Sequence, residues 1–229
     1  MLGVFLFGAV IGSFLNVVIL RSLSGESLQG RSHCPHCQHT LQWYDLVPIV
    51  SFILLRGRCR YCHNPISIQY PLVELAMGLG SVALFPNIAY IIVFALLLVL
   101  FVIDLRSFLL PDFFIIALSV VILLTGQVSY YGVLIGAGFM LLLWLVTAGR
   151  GIGFGDVKLL VPLGLLFGVT STIILLAGAF IIVGAVGAYL LLTKQATLKT
   201  PIPFGPYLTG MAALLLIFPD CCFRVPLQI

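Results

Sequence analysis

Two sets of residues in this sequence have the types and spacing that chemistry needs. The first is Cys34-Pro-His-Cys37, followed 21 residues later by Cys59-Arg-Tyr-Cys62. Paired Cys-X-X-Cys turns can bring four sulfurs to tetrahedral positions around one zinc ion, and binding then supplies folding energy that a small polar segment lacks. Two disulfides or redox chemistry are the alternatives, but flanking arginines point to the reducing cytoplasm, where disulfides rarely persist. Four thiolates would close the coordination sphere, so the metal's role is structural. His33, His36, His39 and His63 are substitute ligands or, on the plainer reading, solvated loop residues and outer partners of the site. Cys221 and Cys222 are adjacent, with no evident partners.

The second set is acidic, and with only seven carboxylates in the chain each can be weighed singly. Solvation explains Glu26, Asp45 and Asp220. Asp112 follows Pro111 at a helix start, where a capping role is ordinary. Asp104 stands at the end of the apolar run "IIVFALLLVLFVI", where the helix dipole disfavours a negative charge; pairing with Arg106 is the plain explanation, function the other. Asp156 follows Gly151, Gly153 and Gly155 and could be an N-cap. If Asp104 and Asp156 meet, two carboxylates sharing one proton make an acid and a base, able to activate water against a peptide carbonyl and protonate the leaving amine. The glycines would allow a close backbone approach.

The elements that must position these groups are membrane spans. Of 229 residues, 62% are hydrophobic and 8% charged, and the mean hydropathy is +1.24, whereas soluble domains carry roughly 25% charged residues. The expected fold is an all-α polytopic membrane protein of about eight transmembrane helices, near 2–20, 71–86, 88–105, 112–128, 131–148, 156–169, 171–192 and 205–218. A single tilted helix is the alternative for the sixth and seventh. The organisation is a first span at 1–20, a cytoplasmic four-cysteine zinc-binding segment at 21–70, and a transmembrane core at 71–229 that carries the two aspartates. Within the segment, "DLVPIVSFILL" is too short to cross and reads as an interfacial or core helix.

The first twenty residues lack a leading basic residue and are followed by Arg21, so they read as a retained span. With the N-terminus outside, Arg21, Arg31, Arg56, Arg58, Arg60, Arg106, Arg150, Lys158, Lys194 and Lys199 face the cytoplasm and only Arg224 faces out, in keeping with the positive-inside bias. The end of the third span and the start of the sixth then share one face, bringing Asp104 and Asp156 to the same depth.

"GFGD" at 153–156 resembles the Gly-X-Gly-Asp signature of intramembrane-type aspartyl proteases. Together with "GSFLNVVI" at 12–19, the paired Cys-X-X-Cys, "LRGRCRYC", "YPLVEL" at 70–75, "DLRSFLLPD" at 104–112, "GDVKLL" and "PFGPYLTG" at 203–210, it resembles the bacterial type IV prepilin peptidases along nearly the whole chain. The resemblance implies a multi-pass aspartic endopeptidase of the bacterial cytoplasmic membrane. Such an enzyme removes the short basic leader of prepilins or pseudopilins, cutting after glycine at the cytoplasmic face, just before the apolar segment. By motif position Asp104 and Asp156 are the catalytic pair, with Gly153 and Gly155 as motif glycines. Many members also methylate the new N-terminus with S-adenosylmethionine. Glu74 is a candidate for that step, or a first-turn acid after Pro71. Prepilins and membrane lipids are the partners implied, and no nucleic acid. A non-catalytic scaffold docking through the zinc loop, or a proton or ion transporter, are the readings from other classes.

Overall fold

A computed structural model describes residues 1–27, 29–126, 128–149, 151–195, 197 and 200–218. Arg150, Lys199, Asp220, Cys221, Cys222 and Arg224 lie outside the described residues. The regular structure among those described is helical: α1 (Leu2–Ser24), α2 (Val50–Leu54), α3 (Gln69–Leu84), α4 (Ile88–Ser107), α5 (Asp112–Leu124), α6 (Tyr130–Val146), α7 (Phe154–Leu192) and α8 (Gly205–Ile217), with a 3₁₀ turn at Trp43–Asp45. Two compact units divide the chain, Met1–Ile91 and Ile92–Ile229.

In the first unit α1 packs on α3 through small residues. A Cβ at Gly12 would lie 2.7 Å from Glu74 Cα, and one at Gly8 would strike Ser81, so the Gly8-xxx-Gly12 spacing lets two apolar helices approach by their backbones. Helix α1 stops where Gly25 adopts a left-handed φ of 71° and donates to the Arg21 carbonyl. Beyond it the buried Arg21 guanidinium donates to the Ser27, Gln29 and Gly30 carbonyls, fixing the link toward the cysteines. Asn16, fully buried, donates to the Gly12 and Tyr70 carbonyls and accepts from Gln69.

In the second unit α7 does not run straight. Its backbone leaves helical geometry at Gly168, whose φ of 69° suits glycine. Gly136 of α6 faces both Leu160 and Thr172, and Gly132 faces both Gly164 and Gly168. In a straight helix, residues 160 and 172 would stand about 18 Å apart, so the chain doubles back at Gly168. The ring contacts agree: Trp144 meets Phe154 at 5.3 Å on the first arm, and Phe139 meets Phe180 at 6.4 Å on the second. One arm is therefore antiparallel to α6 and the other parallel, which rules out one uninterrupted tilted helix at 156–192.

Helices α1, α4 and α7 are long and apolar enough to cross a membrane, and α5, α6 and α8 are shorter apolar helices. Their outward faces carry large apolar side chains, as on α5, where Phe113, Ile116, Val120 and Leu124 are exposed while Phe114, Ile115, Leu118 and Ile122 are buried. Hydrocarbon, not water, is the medium such faces require. The short apolar stretch after Asp45 forms only the five-residue α2, with Val50, Ile53 and Leu54 exposed.

Candidate active site and metal centre

The cysteine segment is built from two equivalent turns. In the first, Cys34 N–H donates to His39 O, Gln38 N–H to Cys34 O and Leu41 N–H to Ser32 O; in the second, Cys59 N–H donates to Asn64 O, His63 N–H to Cys59 O and Ile66 N–H to Gly57 O. The residue after each second cysteine is left-handed, Gln38 at φ 57° and His63 at φ 58°. Each turn thus aims two sulfurs the same way, and the four Sγ atoms lie within 4.8 Å of one another. All four cysteines are free, with Cys34 and Cys62 Sγ 3.8 Å apart. A tetrahedral four-thiolate zinc with Zn–S of about 2.3 Å needs S···S separations of about 3.8 Å, so the donor set fits that metal. No histidine joins the cluster; His39 instead stacks on Tyr61, centroids 3.6 Å apart.

Asp45 is not a solvated loop acid. Its side chain is 2% exposed and accepts from Arg60 at 2.7 Å, Tyr61 at 3.1 Å and the Gln42 N–H at 3.2 Å, while Arg60 also lies over the Tyr44 ring. Burial pushes its carboxyl up, but these bonds outweigh it and hold the group below the usual carboxylate range.

Glu74 departs from a first-turn role. It lies a turn and more inside α3, is 6% exposed, and accepts from the Ile49 N–H at 2.7 Å and from the Ser13 side chain. Ile49, a β-branched residue at φ 63°, is held by that bond at the start of α2.

The aspartates belong to the second unit. Asp104, near the end of α4, is 5% exposed and accepts from the Gly205 amide at the start of α8. The positive end of the α8 dipole thereby offsets the unfavourable end of α4. A Cβ on Gly205 would overlap the Asp104 carboxylate, so only glycine allows this approach. No Asp104–Arg106 pair occurs; the ion pairs among the described residues are Arg60–Asp45 and Lys158–Asp112.

Asp156 is the third residue of α7, not its N-cap, which is Gly153. It is 7% exposed, and its carboxylate accepts from the Gly153 N–H while its own N–H donates to Gly153 O at 3.1 Å. The Asp156 carboxylate lies close enough to Asp104 to feel its charge. Asp112 makes no capping bond at the start of α5 and instead accepts from Lys158 at 2.8 Å.

Known proteins resemble this chain along most of its length. The model of the bacterial peptidase A24 N-terminal domain matches residues 6–88, and that of the type IV leader peptidase family matches residues 91–189. A prepilin leader peptidase/N-methyltransferase of Aeromonas hydrophila is 36% identical, covering 96% of this chain and 91% of its own. A protein of the same name from Bacillus subtilis (strain 168) is 33% identical, over 94% and 93%.

The chain belongs to the type IV leader peptidase family.

A further relative, the type 4 prepilin-like proteins leader peptide-processing enzyme of Escherichia coli O78:H11, is 37% identical over 91% of each chain. No solved structure matches. Within this leader peptidase chain the cysteines and Glu74 fall inside the N-terminal domain match, and both aspartates inside the peptidase match. Sequence reasoning assigned no role to Gly205 or to Leu110, which touches both Gly155 and Gly205. The "PFGPYLTG" and "DLRSFLLPD" blocks contain them, and the signal for Gly205 was a glycine directly before a proline at a helix start.

Proposed function

We propose that this chain is a membrane aspartyl endopeptidase that removes the short basic leader from prepilin-like proteins, cutting after glycine at the cytoplasmic face. The observation that carries the reading is two buried carboxylates, Asp104 on α4 and Asp156 on α7, set on either side of Leu110, which lies by Gly155 next to Asp156 and by Gly205 against the Asp104 carboxylate. With one proton between them, the ionised carboxylate takes a proton from water, and the resulting oxygen attacks the scissile carbonyl carbon. The protonated partner then gives its proton to the amide nitrogen as the C–N bond breaks. The Gly205 and Gly153 amides hold the two carboxylates in place. A scaffold would leave this pair without work, and a transporter would need polar groups along a path through the whole bilayer, not one pair of acids at one end of it.

The fold reading that accompanies this is eight crossings, counting the two arms of α7 separately, with the N-terminus outside in the bacterial inner membrane. Zinc at Cys34, Cys37, Cys59 and Cys62 supplies folding energy to the segment and no chemistry. Methylation of the new N-terminus would draw on S-adenosylmethionine, which donates a methyl group from a cationic sulfonium. Glu74 is a buried carboxylate of the first unit. It accepts from the Ile49 amide and the Ser13 side chain, and a carboxylate's remaining lone pairs leave acceptor capacity for a cationic ligand.

The test is mass analysis of a leader-bearing pilin peptide incubated with the purified protein and methyl donor. A mass loss equal to the leader is expected, and it should vanish in Asp104→Asn and Asp156→Asn. Cleavage retained in both variants would end the peptidase reading. Glu74→Gln should lower methyl addition while cutting continues.

A further inference from the structure

Between the two aspartates' helices, the α4–α5 connection turns sharply: Phe108 takes a left-handed φ of 56°, and Pro111 directs the chain into α5. The turn carries Leu110 into the site. A Cβ built on Gly155 would lie 3.3 Å from Leu110 Cβ and 3.4 Å from its Cδ1, and one built on Gly205 would lie 3.4 Å from the same Cδ1. Gly155 precedes Asp156, and Gly205 gives its amide to Asp104. A single aliphatic side chain therefore fills the space left by the two glycines that adjoin the two carboxylates.

This arrangement constrains what can sit beside the reacting carbonyl. Glycines at 155 and 205 leave room, but Leu110 takes that room, so a substrate side chain on this side would have to displace its methyl groups. A substrate residue with no side chain would ask for no such displacement. The turn is held from the other end by Asp112, which bonds Lys158 at 2.8 and 3.0 Å, tying the start of α5 to the first turns of α7.

We propose that Leu110 sets the size limit for the residue on the leader side of the cut, admitting glycine and turning away larger side chains. This rests on the peptidase reading above. In it Leu110 is a specificity-determining residue and takes no part in proton transfer.

The experiment compares two synthetic leader peptides, one with glycine and one with alanine before the cut, cleaved by the wild-type full chain and by Leu110→Ala and Leu110→Val. Because one methyl group in an apolar pocket changes kcat/KM by about tenfold or more, Leu110→Ala should shift the glycine-to-alanine ratio at least tenfold toward alanine, and Leu110→Val by less. An unchanged ratio in both variants would overturn the proposal. So would a change confined to peptides altered after the cut, and so would loss of all cleavage in both variants with the proteins intact, which would make Leu110 a packing residue. Wild-type protein that fails to cut the glycine peptide sinks the peptidase reading itself, a separate outcome.

Discussion

In the cysteine segment all four sulfurs come from two short turns whose own backbone bonds aim them, Cys34 with His39 in one and Cys59 with Asn64 in the other. In the aspartate region each carboxylate stands on a different helix, and Asp104 is aimed by an amide from a third, α8. The first kind of site needs only local chain geometry and a metal to close it. The second exists only once α4, α7 and α8 have packed, and it rests on bare backbone at Gly205, where a side chain would collide with Asp104, and at Gly155, where one would crowd Leu110.

The sharpest way to separate the two is to remove one group from each. Asp104→Asn or Asp156→Asn should cut cleavage of a leader peptide by about 10²–10⁴-fold or more, measured in membranes where the protein still accumulates and still holds its zinc. Cys59→Ser, or a strong chelator, should do the converse to structure. Zinc content should fall, and the turns at 32–41 and 57–66 should become open to protease, since apparent zinc binding to such sites is worth about 10–16 kcal/mol of folding. Unchanged protease resistance after complete metal loss would show that the turns fold without it.

Helix packing in the second unit gives the next effect. A Cβ at Gly164 would meet the Gly132 backbone at 2.7 Å, so Gly164→Ala should cost about 1–3 kcal/mol, read as a lowered midpoint of unfolding in detergent. In the cysteine segment, Asp45→Asn removes a charged acceptor whose side chain is 2% exposed, at roughly 1–3 kcal/mol. Because the folded carboxyl lies below its ordinary value, that stability is fully present above pH of about 4 and lost as pH falls through the folded value. The segment's protease resistance should follow that course in the wild type and flatten in Asp45→Asn. Smallest is Lys158→Ala: its ion pair with Asp112 is 40% and 62% exposed, so a stability loss of about 0–1 kcal/mol is expected.

How much was legible follows the same division. The paired Cys-X-X-Cys spacing announced its cluster, because ligands close in sequence are brought together by turns that the sequence itself specifies. Asp45 was misread as solvated, because the partners that bury it, Arg60 and Tyr61, come from the other turn. Asp112 was read as a cap for the same reason: Lys158 lies on α7. The break in α7 falls where the expected sixth span ends and the seventh begins, at 169 and 171, though equal apolar composition on both sides of Gly168 left a single tilted helix as the alternative. The Gly132/Gly136 and Gly164/Gly168 spacings were available as a signal of close helix contact.

By itself the sequence determined that this is an apolar helical chain, with four thiols spaced for one metal and two acids standing out of place at the ends of apolar runs. Those are matters of composition and local spacing. Only the tertiary structure decided that Gly205 gives its amide to Asp104, that Leu110 fills the space between two glycines, and that α7 folds back on α6. Each of these joins groups from separate helices, and their meeting is fixed by which backbone surfaces can come close enough to touch.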